Sequence, residues 1–166
     1  MRKKADATQN RGELVGNAMR RAATNAAVPF EEVMTGADHA FSIYLDPMLA
    51  LDGELLIRRE SVADRVRRVV SDPILDIHVI HPATQWSQYF RDAVRRMDPP
   101  GGPTPSAAAL DVHIYTFADN IEKLLGTPQF AAQVDTQPEG YYANIWDDFV
   151  LISYTHATRL SLTVTD

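Results

Sequence analysis

The residues best equipped for chemistry occur in one pattern written twice. Leu75-Asp76-Ile77-His78-Val79 and Leu110-Asp111-Val112-His113-Ile114 repeat the same order of apolar residue, aspartate, apolar residue and histidine, thirty-five positions apart. On a strand alternate side chains share a face, so Asp76 would stand with His78 and Asp111 with His113. Two such strands side by side would bring two carboxylates and two imidazoles within reach of a divalent metal. The same set could instead let a carboxylate orient a histidine for acid/base work. The competing reading is that these are structural histidines, because mid-strand positions in doubly wound sheets are packed under helices. Ligands in such sheets bind beyond the strands' carboxyl ends, and by that rule His81 and Phe117 sit where a ligand is expected. His81-Pro82-Ala83-Thr84 also leads into a helix whose first amides could receive an anion.

A second group is basic. Arg58, Arg59, Arg65, Arg67 and Arg68 face only Glu60 and Asp64 in the same stretch. Such a patch is either a solvated helix face or a surface for a phosphate-bearing ligand or an acidic partner. Other signatures are missing from the sequence: no phosphate-binding glycine loop, no Gly-x-Ser-x-Gly elbow and no His-Glu-x-x-His helix. The absence of cysteine removes disulfides, thiolate metal sites and cysteine nucleophiles together. A net charge of -6 argues against a nucleic-acid binder acting through its overall field. The charge is uneven: residues 1–40 sum to +1, 41–110 to -1 and 111–166 to -6. Arginine outnumbers lysine thirteen to three, a composition that GC-rich genomes produce.

The elements that would position these groups follow from periodicity. With 166 residues and 45% hydrophobic content the chain can bury one domain-sized core. Residues 1–12 read as a flexible tail and 13–38 as peripheral helices, leaving 39–166 as a single α/β domain. Leu14, Val15, Ala18, Ala22 and Ala26 give a thin helical face suited to the outside of the domain. The alternation of Phe41, Ile43 and Leu45 predicts a strand over His39 to Asp46. Ser61 and Asp64 open a helix with the stripe Val62, Val66, Val69 and Val70, stopped at Asp72-Pro73. A strand over Ile74 to His81 is followed by the amphipathic run Trp86, Tyr89, Phe90, Ala93, Val94 and Met97. The Gly/Pro-rich stretch from Asp98 reads as a mobile connector. Leu110 to Phe117 reads as another strand and Ala118 to Gly126 as another helix. Three strand-like runs, Tyr141 to Trp146, Phe149 to Tyr154 and Arg159 to Val164, close the chain as an antiparallel meander. The expected fold is therefore α/β: a mixed sheet of five or six strands, its centre parallel and built from βαβ units, with helices on both faces.

The run Tyr142-Ala143-Asn144-Ile145-Trp146-Asp147-Asp148-Phe149-Val150-Leu151-Ile152-Ser153 resembles the signature region of the phospholipase-D-like superfamily. There a strand carries His, one residue, Lys, four residues and Asp. Tyr142 stands in place of the histidine, Asn144 in place of the lysine, and Asp148 falls one residue short of the aspartate. Without the histidine nucleophile the family's covalent phosphohistidine route cannot run at this position. The resemblance implies a degenerate member similar to the ligand-sensing modules of some bacterial regulators, and a habit of pairing two chains.

These readings converge on a non-catalytic ligand-sensing or partner-binding domain without a cofactor. Its ligand-binding residues would come from Arg65, Arg68, His78, His81, His113, Phe117, Tyr142, Asn144 and Asp148. The expected partners are a small phosphorylated or anionic ligand or a protein, not nucleic acid or membrane. The alternatives are a metal-assisted hydrolase or phosphodiesterase using Asp76, His78, Asp111 and His113, or a structural assembly subunit. Ala5 to Arg11 is polar where a signal peptide needs an apolar stretch, so the expected location is cytoplasmic. Arg159 to Val164, regular and free of proline and lysine, would invite a second chain if it lay at an open sheet edge, giving a homodimer.

Overall fold

The computed structural model describes residues 2–36, 39–51, 61–97, 106–137 and 143–165, with side chains from residue 13 onward. The chain opens with one long helix, α1 (Arg2–Met34), which begins ahead of Glu13 and continues through Pro29. Its inner face is formed late: Ala23, Ala27, Phe30 and Met34, at helical spacing, are all buried. The helix that its thin early face would place outside thus contributes to the main core. Two edge segments follow, β1 (Ala40–Leu45) and β2 (Leu49–Ala50), then a short helix, α2 (Val62–Val69). Ser61 caps α2 by accepting a hydrogen bond from the Asp64 amide at 3.2 Å. Next come β3 (Ile74–Ile80), a 3-10 turn and α3 (Trp86–Arg96).

The segment around Asp111 and His113 departs from expectation. It belongs to α4 (Ala107–Leu125), capped by Ser106 and ended at Gly126, whose φ of 88° suits glycine. Leu110, Ile114, Phe117, Ile121 and Leu125 form its buried stripe. The repeated pentapeptide is therefore a strand at its first occurrence and a helix at its second. A strand absent from the expected set follows, β4 (Phe130–Thr136), and the last two runs are β5 (Ile145–Ile152) and β6 (His156–Thr165). Asp147 and Asp148 lie inside β5, with no turn between two strands.

Among the described residues the sheet has six strands in the order β1-β6-β5-β4-β3, with β2 also paired to β6. Every pairing is antiparallel, which corrects the expected parallel centre and its βαβ units. Between β3 and β4 the chain forms α3 and α4 and returns beside β3 in the opposite direction. β6 lies inside the sheet, held by β5 on one side and by β1 and β2 on the other. The open edge that motivated a homodimer through Arg159 to Val164 is therefore absent.

Alternation divides the strands between two layers. One face presents Phe41, Ile43, Leu45, Ile80, Phe149, Leu151, Leu160 and Leu162 to a core shared with α1, α3 and α4. Phe90 joins these layers, with ring centroids 5.7 Å from Trp86, 5.6 Å from Phe117 and 5.9 Å from Phe149. The other face carries a smaller cluster in which Val66 and Val70 meet Ala132, Val134, Val150, Ile152 and Ala157. No described helix is long and apolar enough to cross a membrane.

Candidate functional site

The smaller face offers a recess between α2 and the β2 end of the sheet. Leu49, Ala50 and Leu51 form one wall, Val69 and Ile152 another, and Arg65 and Arg68 stand at it from α2, around about 200 Å³. The local sequence explains the arrangement. Val62, Val66, Val69 and Val70 turn α2 onto the sheet, and Arg65 and Arg68, three positions apart, fall on one side of that stripe. Arg65 is buried to 7% exposure, and its guanidinium lies 4.5 Å from the centre of the Phe130 ring. A buried guanidinium beside branched aliphatic walls keeps positive charge where water is scarce and electrostatic attraction is strong. Chemically the recess can take an apolar body and an anionic head.

The same face holds a buried polar network. Asp148 is fully buried in β5, accepting hydrogen bonds from Thr136 Oγ1 at 2.5 Å and from Ser161 Oγ. Burial pushes its carboxyl above the usual aspartate range, while the two hydroxyls pull the other way. Arg159 lies beside it in β6, donating Nε to Asp46 at 3.0 Å and pairing with Asp72. Burial opposes the Arg159 charge, but these carboxylates raise its pKa above the ordinary arginine value. The network ties the link after β1, the entry to β3 and three central strands into one unit.

The residues singled out from the sequence separate into distinct environments. Arg65 and Arg68 meet at the recess, whereas Arg58 and Arg59 lie outside the described residues, as do Tyr142 and the segment 98–105. His78 and Asp76 are exposed on β3 and share a face as expected. Asp111 and His113 are elsewhere, so the four-residue cluster does not assemble. Asp111 takes a two-pronged contact from Arg91, Nε at 2.7 Å and Nη2 at 2.9 Å, and a further one from Arg95. The Arg91 hydrogen bonds hold the Asp111 carboxyl below the usual range. The His113 ring stacks 6.5 Å from Phe30, and Phe117 is core. His81 is exposed before the 3-10 turn. Asn144 lines an open hollow with Thr136, Ile145 and Trp146.

Asp148, set against the aspartate of the phospholipase-D-like signature, is an interior residue of β5. Sequence reasoning missed Asp135, which stands beside Asp76 and His78, and the aliphatic walls of the recess. Those walls come from separate segments, so no local motif announces them. Compared with protein-family models, curated proteins and solved structures, the chain matches none.

Proposed function

We propose that this chain is a non-catalytic binding domain whose site is the recess between α2 and β2, taking a small anion with an apolar body. The observation that carries this reading is the placement of Arg65 and Arg68 at an aliphatic-walled cavity. At roughly 30 Å³ for each water-sized group, 200 Å³ accommodates about seven such groups, enough for a short alkyl chain. The head is a carboxylate or phosphate, whose charge a guanidinium complements through paired N–H donors. Absence of an intact catalytic motif in the sequence supports binding over turnover. The recess itself brings together no nucleophile and base among the described residues.

Calorimetric titration with octanoate, octanol and inorganic phosphate tests the reading. Octanoate should bind one per chain, and more tightly than octanol or phosphate, because only octanoate satisfies both halves of the site. Arg68→Ala should weaken octanoate by about tenfold, the loss of one charge-assisted hydrogen bond of roughly 1.5 kcal/mol. Equal affinity for octanoate and octanol, or an Arg68→Ala variant that binds octanoate unchanged, would contradict it.

A further inference from the structure

Asp76, His78 and Asp135 lie away from the recess, on the rim of the sheet. One ligand atom from each falls within 4.8 Å of the other two. His78 Nε2 stands 3.5 Å from Asp76 Oδ2 and 3.5 Å from Asp135 Oδ2. That separation is long for a charge-assisted hydrogen bond, which closes to about 2.7–2.9 Å. It matches the edge of a coordination tetrahedron, because ligands bound at about 2.1 Å to one ion sit about 3.4 Å from each other.

The backbone builds this spacing. Asp76 and His78 alternate onto one face of β3, and Asp135 is the register partner of Asp76 on β4. The register slips by one residue between Ile74 and Asp76, an irregularity of the kind that re-aims side chains at sheet edges. Asp76 Oδ1 accepts the Ile77 amide at 2.8 Å, which fixes the carboxylate and turns Oδ2 toward the imidazole. Two aspartates directly opposite across a strand pair repel each other, and a cation between them removes that penalty. We infer that Asp76, His78 and Asp135 form a site for one divalent transition-metal ion of the Zn²⁺ class, with two oxygens and one imidazole nitrogen as ligands. All three side chains are exposed, so solvent or a further ligand completes the coordination.

Competition of the purified full chain against a chromophoric chelator for Zn²⁺ tests the assignment. The expected result is one ion per chain, with affinity reduced at least about tenfold by His78→Ala and also reduced by Asp135→Asn. His156→Ala, on β6, which β5 separates from the β3–β4 pair, should leave affinity unchanged. Circular dichroism on each variant separates loss of the ion from loss of the fold. Absence of saturable Zn²⁺ uptake, or folded His78→Ala and Asp135→Asn proteins that bind like the parent, would overturn the site.

Discussion

Asp148 concentrates the physical tension of the molecule in one side chain. A carboxylate buried in a central strand is tolerated because Thr136 and Ser161 both donate to it. Asp148→Ala strands two buried hydroxyls and opens a void, so we expect a loss of about 3 kcal/mol, read from the denaturant midpoint. Asp148→Asn keeps the shape and should cost less. The pH dependence has a definite sign. Because the folded carboxyl titrates above its unfolded value, its contribution is fully present below pH 3.8, the ordinary value, and is lost as pH rises through the higher folded value. Asp148→Asn should flatten that part of the stability profile, and an unchanged profile would refute the assignment. At this scale the sequence was half legible. Strand alternation placed Asp76 beside His78, but nothing local to Ser161 shows that Asp148 is its register partner across the sheet.

Among the elements, β1 shows how the fold manages an edge. The Ile43 amide donates to Glu31 Oε1 at 2.6 Å and the Phe41 amide to Thr35 Oγ1 at 3.3 Å, so the last turn of α1 and the residue after it occupy donors that a foreign strand would use. Glu31→Ala frees the Ile43 amide. We expect a loss of about 1 kcal/mol together with a rise in self-association seen by sedimentation. Unchanged stability and mass would remove this role from Glu31. The misreading of α4 has an equally specific cause. Leu110, Val112 and Ile114 alternate, while Leu110, Ile114, Phe117, Ile121 and Leu125 follow a helical period, and over eight residues both patterns fit. Val112 is 64% exposed, so the alternation was incidental and the longer period was the structural one. β4 escaped notice because Phe-Ala-Ala-Gln-Val-Asp-Thr carries two small residues and no clean alternation. Without β4 there was no route to Asp135.

For the whole molecule, the helices divide the labour between the two faces of the sheet. α1, α3 and α4 cover one face with a large aromatic and aliphatic core, and the short α2 covers part of the other. That imbalance places an apolar recess, two arginines and a buried polar network on the same side. The proposed binding function belongs to this side, and its central claim is that an apolar anion enters beside α2. Methyl-resolved NMR during titration with octanoate tests it most directly. The account predicts saturable shifts of the Leu49, Leu51, Val69 and Ile152 methyl signals, with those of Leu110 and Ile114 in the opposite core unmoved. Shifts confined to residues outside the recess, or none at octanoate concentrations that saturate the chain by calorimetry, would contradict it.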